Sequence, residues 1–406
     1  MRILHICDSL NPLGVGGYES YLGYLGPALD AEGHESFIAT QSPRRDLVGQ
    51  AKYRGLETYY LGGNFLEARK WEFYQIPEAD RDSVAKEMFR SDDLDENVSL
   101  LKQELREIID VVSPDVIHAH STYVVFNRVL RLLREEGALH GTPVVATIHG
   151  RAKPLILPDG TKTTDYDQLV HACPFDRVLA VSKNVAEQLR LFLAPINREE
   201  TVHTLYLGVD TDVFRPISAI DKAWDIAFMG RLEHMKAVDL LPELVSGLAP
   251  SLPELRLLIT GDGSLRDSIL RDFAERGCDK MVQYEGVVKP ERVITLINGS
   301  RIFIYPSREE PFGLSILEAM ACGLPVISTN AYGPKEIITD GHDGFLVEVD
   351  DVIEMRRIVR LLLSNETLRM RIGGAARKTV EERFSFKTHV RNLLQVYKNL
   401  SAQVET

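Results

Sequence analysis

The chain has 406 residues, of which 44% are hydrophobic and 26% charged, and its formal net charge is −12. This length exceeds one ordinary hydrophobic core, so we expect two domains, and the composition is typical of a globular protein. The negative charge, about −8 in residues 1–200 and −4 in the rest, argues against nucleic-acid binding and against docking on an anionic membrane by net charge.

The cysteines predict a reducing compartment. Cys7, Cys173, Cys278 and Cys322 lie far apart and form no C-x-x-C pair, a pattern typical of intracellular proteins. The first residues do not resemble a secretion signal, and no run approaches 18 apolar residues. We therefore expect a cytoplasmic protein without an integral membrane segment.

The first half alternates short β-branched runs with amphipathic stretches, which predicts parallel α/β units. The predicted strands are RILHICDS, ESFIAT, DVIHAH, PVVATIHG, RVLAVS and VHTLYLGVD. The glycine-rich turn LNPLGVGGYESYL follows the first strand and begins the dinucleotide fingerprint G-x-G-x-x-G, but Glu19 stands at the sixth position. Gly23, Gly26 and Pro27 then predict a helix that packs closely or kinks.

An acidic stretch at residues 64–98 interrupts this alternation, and we interpret it as a solvated insertion rather than a substrate lid. Acidic D-x-D triplets, which can hold Mg²⁺, lie in this stretch, in a loop and in a linker turn, without a common phosphate loop. We therefore interpret all of them as structural. They are Asp93/Asp95, Asp165/Asp167 and Asp210/Asp212.

Histidines mark the carboxyl ends of two predicted strands. His149 lies at the end of the strand predicted in PVVATIHG, where an isolated histidine is more often structural. Arg151 and Lys153 follow it, and they are either solvated or bind an anionic acceptor. His118 and His120 share a strand face, but a third ligand at suitable spacing is lacking, so we predict hydrogen-bonding roles rather than a metal site.

The second half repeats the α/β pattern. Its predicted strands are DIAFMG, RLLITGDG, VQYEGVV, IFIYPS, PVISTN and FLVEV, and FSFKTHVRNLLQVYKNL is predicted to be one terminal helix. The turn-rich stretch GVDTDVFRPISAIDKAWD marks the boundary, which gives domains at 1–210 and 211–384 and a C-terminal helix at 385–406. Ligands of open parallel sheets bind at the carboxyl ends of the strands, so two facing sheets predict a cleft.

The densest polar cluster is YPSREEPFGLSILEAMACGLP, from Tyr305 to Pro325. A strand ends in two acids, Pro311 and Gly313 fix a turn, and a helix follows, whose first N–H groups could hold a phosphate or sugar hydroxyls. Glu318 could accept both hydroxyls of a ribose, although helical glutamates are commonly solvated.

Two other strand ends carry possible phosphate ligands. Arg231 and Lys236 follow DIAFMG and could converge on one anion, although basic side chains there are usually solvated. Gly261 and Gly263 would allow a ligand to approach the backbone closely, or they form a plain turn with Ser264 as the N-cap.

These motifs, in this order, resemble the retaining GT-B glycosyltransferases of glycosyltransferase family 4. EPFGLSILE resembles the E-x7-E signature, and MGRLEHMKAVDLL resembles the G-R-L…K-G segment, with Ala237 in place of glycine. Leu207 replaces the usual asparagine in LGVDTDVF. The other matching segments are ITGDGSLRDSI, HDGFLVEVDD, PDVIHAHS and ATIHG. The resemblance covers nearly the whole chain and departs mainly at residues 64–98.

The resemblance implies a GT-B fold, with two Rossmann-like α/β domains facing across a cleft and a C-terminal helix that crosses back to the first domain. It implies that Arg231 and Lys236 bind the donor diphosphate, that Glu318 holds the ribose, and that Glu310 holds the transferred sugar. It assigns His149 to the sugar or the leaving phosphate. Further donor contacts are implied at Gly16, Gly17, Gly261, Val287, Val288, Phe312, Gly313 and Leu314. Acceptor contacts are expected at His120, Tyr123, Arg151 and Lys153.

The activity so implied is transfer of a hexosyl group from a nucleotide-diphosphate sugar to an acceptor hydroxyl with retained anomeric configuration. We expect no cofactor and no essential metal, because Arg231 and Lys236 would supply the positive charge. UDP-glucose or UDP-GlcNAc is favoured as donor over GDP-mannose, and a soluble small molecule or glycan as acceptor. The alternatives are a nucleotide-sugar 2-epimerase of the same fold, a glycoside hydrolase using Glu310 and Glu318, and a sugar-nucleotide sensor. A nicotinamide dehydrogenase is the weakest alternative.

Overall fold

The computed structural model describes residues 1–10, 17–76, 80, 84, 87–90, 92–120, 124–152, 154–156, 162–164, 166 and 174–404. The chain forms two compact units. Unit 1 comprises Met1–Leu205 and Val390–Thr406, and unit 2 comprises Tyr206–His389.

Unit 1 is built on a mixed sheet with Rossmann-like parallel pairing. Its strands are β1 (Arg2–Ser9), β2 (Glu35–Gln41), β3 (Gly49–Tyr53), β4 (Leu56–Leu61), β5 (Val116–His120), β6 (Val144–Ile148), β7 (Pro154–Ile156), β8 (Lys162–Thr164), β9 (Arg177–Ala180) and β10 (Val202–Thr204). Eight of them form one sheet in the order β10-β9-β6-β5-β1-β2-β4-β3, while β7 and β8 form a separate antiparallel pair. Every pairing in the larger sheet is parallel except that of β3 with β4.

All six strands predicted for the first half are present, as β1, β2, β5, β6, β9 and β10. The sequence analysis missed β3, β4, β7 and β8. Strand β3 lies at the sheet edge, and four of its five residues are exposed, so it shows no apolar pattern by which it could be recognised.

The helices described in unit 1 include α1 (Gly17–Ala31), α2 (Leu66–Gln75), α3 (Asp93–Val112), α4 (Val125–Glu135) and α5 (Lys183–Leu193). The glycines of α1 permit close packing, as predicted. A Cβ atom on Gly26 would lie 2.4 Å from the Leu56 side chain, and one on Gly23 would lie 2.4 Å from the Arg54 side chain.

The interpretation of residues 64–98 as a solvated insertion is wrong at both of its ends. Asp93 is fully buried, where it accepts hydrogen bonds from Arg69 Nη1 at 2.9 Å and from Arg90 N at 2.6 Å. Asn97 is also buried and donates to Gln41 at 2.8 Å, so the start of α3 is bonded to strand β2. The stretch contains its own basic partners, Arg69 and Arg90, but its acidic composition alone does not show that they pair with Asp93 in a buried position.

Unit 2 contains a parallel six-stranded sheet in the order β13-β12-β11-β14-β15-β16. Its strands are β11 (Trp224–Met229), β12 (Leu257–Thr260), β13 (Val282–Tyr284), β14 (Ser300–Tyr305), β15 (Val326–Thr329) and β16 (Phe345–Val347). All six were predicted. The four central strands, β12, β11, β14 and β15, each bury four consecutive residues and so are buried on both faces, as strands covered by helices are.

The helices of unit 2 are α6 (Leu241–Leu248), α7 (Arg266–Glu275), α8 (Pro290–Asn298), α9 (Leu314–Ala321), α10 (Pro334–Ile337), α11 (Val352–Ser364) and α12 (Glu366–Arg383). The last helix, α13 (Phe386–Val404), is continuous, as predicted. Its residues from Val390 onward belong to unit 1, where the Tyr397 hydroxyl bonds His118 at 2.5 Å.

Three cysteines, Cys7, Cys278 and Cys322, are buried free thiols, whereas Cys173 lies outside the described residues. Asp210 accepts from the backbone N–H groups of Asp212 and Val213, so this D-x-D triplet forms a local turn. In the parts of the chain described above, no helix has the length and apolar character needed to span a membrane.

Candidate functional site

The strand order of unit 2 reverses between the neighbouring strands β11 and β14. Strand β11 ends at Met229 and β14 at Tyr305, so the loops that follow them leave the same edge of the sheet. Such a reversal in an open parallel sheet is the usual place for ligand binding. The loops carry Lys236 and Glu310, respectively.

The loop after β14 fixes the turn that carries Lys236. Ser307 Oγ and Arg308 N both donate to the Met235 carbonyl oxygen at 2.9 Å. Arg308 also donates to the His234 carbonyl at 2.9 Å and binds both carboxylate oxygens of Asp239 at 2.7 Å. The two loops are thus bonded into one structure, which sets the distance between Lys236 and Glu310.

Lys236, Glu310 and Tyr305 form a buried polar cluster. Lys236 Nζ and the Tyr305 hydroxyl both donate to Glu310 Oε2, at 2.5 and 3.0 Å, while Phe312 N donates to Oε1 at 3.3 Å. The side chains of Lys236 and Glu310 are only 9% and 10% exposed. The cluster therefore holds a cation and a carboxylate largely out of water, where electrostatic interactions are strong.

Electrostatics keep this cluster charged. Burial acts to lower the pKa of Lys236, but Tyr305 and Glu310 raise it above its usual value. Burial, together with the Glu310 charge, raises the pKa of Tyr305, so its hydroxyl keeps its proton. Lys236 is thus an ammonium group and Tyr305 a hydrogen-bond donor at neutral pH.

Helix α9 begins directly after the cluster. Gly313 precedes it with φ 119°, a conformation that favours glycine, and confirms the predicted turn. Gly333 supports this turn from behind, because a Cβ atom there would lie 2.4 Å from Phe312 Cα. From Leu314 the first N–H groups have no intrahelical acceptor and can hold an anion.

Glu318 lies one helical turn inside α9 and is half-buried. Burial raises the pKa of its carboxyl group to about 7, so it is not the ordinary solvated acid of the alternative interpretation. A carboxyl group in this position retains free acceptor capacity for hydroxyl groups of a ligand.

The other residues of unit 2 that are predicted to contact the donor are less buried or have a structural role. Arg231 is exposed, and its guanidinium lies 3.7 Å from the Met235 sulfur. A Cβ atom on Gly261 would lie 1.9 Å from the Gly230 carbonyl oxygen, so this glycine is required by the protein's own backbone. Val287 is 53% exposed and Val288 is half-buried. Their donor contacts stay predictions.

The loop after β12 differs from its predicted form. Ser264 is not the N-cap of α7, whose N-cap position is Leu265. Its backbone N–H and hydroxyl instead donate to the Glu233 carboxylate at 2.9 and 2.6 Å. Glu233 thereby ties this loop to the loop that carries Lys236.

In unit 1, His149 follows β6, as predicted, and its ring lies 5.4 Å from that of Tyr21 and 6.0 Å from that of His120. Arg151 is half-buried. Tyr123 and Lys153, predicted to contact the acceptor, and Gly16, predicted to contact the donor, lie outside the described residues. Gly17 is the first residue of α1.

The prediction that His118 and His120 lack a third neighbouring ligand is wrong. In the parallel register, His5 of β1 pairs with His118 of β5, and the ring nitrogens of His5, His118 and His120 come within 4.8 Å of one another. The adjacency of the two predicted strands, each with a central histidine, was the available signal.

Hydrogen bonds occupy most of this histidine cluster. His5 Nδ1 bonds His120 Nε2 at 3.0 Å, and His118 bonds the Tyr397 and Thr147 hydroxyls at 2.5 and 2.7 Å. Burial lowers the pKa of His5 to about 3, which keeps it neutral. These contacts agree with the predicted hydrogen-bonding roles. His120 is fully buried, which does not fit its predicted direct contact with an acceptor.

Two family models match consecutive parts of the chain. The model described as Glycosyltransferase Family 4 matches residues 15–213, and the model described as Glycosyl transferases group 1 matches residues 210–379.

Curated relatives carry related names. The D-inositol 3-phosphate glycosyltransferase of a Nocardioides species is 28% identical over 323 residues, which are 71% of this chain and 68% of that protein. The N-acetyl-alpha-D-glucosaminyl L-malate synthase of Bacillus anthracis is 26% identical over 305 residues, 73% of this chain and 78% of that protein.

Solved structures share the fold. Sucrose-phosphate synthase from Thermosynechococcus elongatus has a TM-score of 0.77 at 18% identity, covering 99% of this chain and all of that one. A glycosyltransferase from Rickettsia africae has a TM-score of 0.70 at 21% identity and covers 98% of both chains.

Proposed function

The chain belongs to the GT-B glycosyltransferases, and we propose that it transfers a hexosyl group from a nucleotide-diphosphate sugar to an acceptor hydroxyl with retention of anomeric configuration. The observation that carries this proposal is the buried Lys236–Glu310–Tyr305 cluster beside the start of α9. It combines a fixed cation, a fixed carboxylate and free helix N–H groups at the switch point of the sheet.

Each part of the cluster opposes a charge that develops during the reaction. Breaking the bond to the diphosphate builds negative charge on the leaving group, which the Lys236 ammonium and the first N–H groups of α9 would stabilise. Arg231, an exposed residue of the same loop as Lys236, would complete the diphosphate contacts. Two cations and a helix terminus can supply the charge that a metal provides elsewhere, so we propose a metal-independent reaction without a cofactor.

The donor would be held at two carboxyl groups. Glu318 would accept hydrogen bonds from the ribose hydroxyls. Glu310, with the backbone from Phe312 to Leu314, would hold the hydroxyls of the transferred sugar. No side chain acts as a covalent nucleophile in this proposal. The leaving phosphate would help to deprotonate the acceptor on the same face of the sugar, which retains the configuration.

The relatives' names guide the choice of substrates. One contains an N-acetylglucosaminyl group and malate, the other D-inositol 3-phosphate. We therefore favour UDP-GlcNAc or UDP-glucose over GDP-mannose as donor, and a small anionic hydroxyl compound as acceptor. Arg151 and Lys153 would bind its charge, and His149 would contact the sugar or the leaving phosphate. The buried thiols support a cytoplasmic, reducing location.

The alternatives receive less support. A glycoside hydrolase using Glu310 and Glu318 would leave the buried Lys236 ammonium and the first N–H groups of α9, which suit a leaving phosphate, without a role. A 2-epimerase would convert the donor sugar without an acceptor, so analysis of products from donor alone separates it from a transferase.

A thermal-shift series with UDP, GDP, ADP and their common sugars tests the donor site. We expect one nucleotide and its sugar to raise Tm by several degrees, and the increase to shrink in E318Q and K236A. Lys378→Ala, which removes an exposed lysine of α12, is the matched control. Equal shifts in wild type and E318Q would contradict the ribose assignment.

A further inference from the structure

Tyr305 is the member of the buried cluster that the roles proposed above leave unassigned. It ends strand β14, is 4% exposed, and stacks against Phe303 of its own strand and Phe228 of β11, with ring centroids 6.1 and 5.9 Å apart. A phenylalanine would fill this row of rings equally well. The hydroxyl is therefore an addition that apolar packing does not require, and burying it is favourable only where it has a partner.

That partner is Glu310 Oε2, the oxygen that also binds Lys236 Nζ. Two hydrogen-bond donors, Lys236 Nζ and the Tyr305 hydroxyl, therefore share one carboxylate oxygen. Lys236 Nζ lies 5.3 Å from the centre of the Tyr305 ring. The Tyr305 hydroxyl is thus a second donor to an oxygen that the ion pair already satisfies.

Binding of the nucleotide sugar changes these hydrogen bonds. An ammonium group that contacts a diphosphate gives up part of its bond to Glu310, because two anions then compete for its three protons. A buried carboxylate oxygen left without a donor costs free energy and is free to rotate. Tyr305 need not move with Lys236, because its buried ring stacks against two phenylalanines.

Resting on the proposed function, we infer that Tyr305 is a positioning residue that keeps Glu310 aimed at the transferred sugar when the donor diphosphate draws Lys236 away. The hydroxyl then holds Oε2, and Phe312 N holds the other oxygen, Oε1. With a donor on each oxygen, the carboxylate keeps one orientation through the reaction.

Tyr305→Phe tests this inference, because it removes the hydroxyl and keeps the ring. We expect kcat with the preferred nucleotide sugar to fall about 10- to 100-fold, as for loss of an oriented hydrogen bond in an active site. The Kd of the nucleoside diphosphate alone should rise by a smaller factor than kcat falls, since that ligand lacks the sugar that Glu310 holds. A purely structural role would lower kcat and raise this Kd by similar factors.

A double-mutant cycle shows whether Tyr305 acts through Glu310. We expect Tyr305→Phe to lower kcat less than about twofold in the E310Q background, because the amide has already lost the carboxylate's charge and geometry. Tyr59→Phe is the matched control, since it removes another tyrosine–glutamate hydrogen bond, 2.7 Å long, in unit 1. It should leave kcat unchanged.

Two results overturn the inference separately from the proposed function. If wild type turns over a nucleotide sugar and Tyr305→Phe matches its kcat, the positioning role of Tyr305 is wrong. The same holds if Tyr305→Phe lowers kcat by the same factor in the wild-type and E310Q backgrounds. If wild type neither binds a nucleoside diphosphate nor turns over its sugar, the proposed function fails and takes this inference with it.

Discussion

At the scale of single residues, Lys236 combines three properties that a surface lysine lacks. It is buried, it is held in a turn bonded to the next loop, and it keeps its charge beside Glu310. The position of Lys236 after a strand was visible in the sequence. The difference in burial between Lys236 and Arg231 was not visible, because both residues follow the same strand.

The role of Lys236 is tested by replacing it with alanine. We expect kcat to fall by about 10²–10³, as when one oriented donor is removed from an oxyanion site elsewhere. Steady-state kinetics with a saturating nucleotide sugar measure this, with Lys378→Ala as control. Unchanged turnover in K236A would disprove the leaving-group role.

Glu318 makes a pH-dependent contribution to stability. Its folded pKa, about 7, lies above the ordinary value of 4.5, so the folded protein holds the proton more tightly than the unfolded chain. Its contribution is therefore fully present below pH 4.5 and is lost as the pH rises to about 7.

E318Q cannot ionise, so we expect its free energy of unfolding, relative to wild type, to increase by about 1–3 kcal/mol between about pH 5 and pH 8. This range allows for the partial exposure of Glu318, which weakens the effect. Urea unfolding of both proteins, without ligand, at the two pH values measures the change. A constant difference would show that Glu318 is an ordinary solvated acid.

At the scale of elements, the periodic strands were predictable and the partners of polar groups were not. The strands β11 to β16 are rich in apolar residues and were all found, whereas the exposed edge strand β3 was not. Asp93 and His5 show the second limit. Asp93 bonds Arg69, 24 positions earlier, and His5 bonds His120, 115 positions later. Neither of these two partners is visible from local spacing.

The glycines of the helices give a matched pair at this scale. In α1 a Cβ atom on Gly26 would collide with Leu56, whereas one on Gly374 of α12 would meet nothing within 4 Å. We expect Gly26→Ala to destabilise the protein by about 1–3 kcal/mol through overpacking, and Gly374→Ala to stabilise it by up to about 1 kcal/mol. Denaturant midpoints measure both. Similar effects of the two changes would contradict the packing of α1 on β4.

At the scale of the whole molecule, the chain returns to unit 1 after completing unit 2. Residues from Val390 onward belong to unit 1, and the Tyr397 hydroxyl bonds His118 within its core. Unit 1 is therefore incomplete without the residues from Val390 onward.

This predicts a cost for losing the Tyr397 hydroxyl. We expect Tyr397→Phe to reduce stability by about 1–3 kcal/mol, because a buried ring nitrogen of His118 loses its partner. Equilibrium unfolding of the full chain measures it, with Tyr59→Phe as control for a part-buried tyrosine. No loss would show that the core of unit 1 does not depend on this contact.

The central proposal, retaining sugar transfer by a metal-free site, is tested most directly by proton NMR of the first product formed from an α-linked nucleotide sugar. The reaction is run with EDTA and with malate or inositol phosphate as acceptor. We predict an α-linked product at the earliest times in wild type, and its loss in K236A. A β-linked product, free sugar alone, or a reaction that stops in EDTA would contradict the proposal.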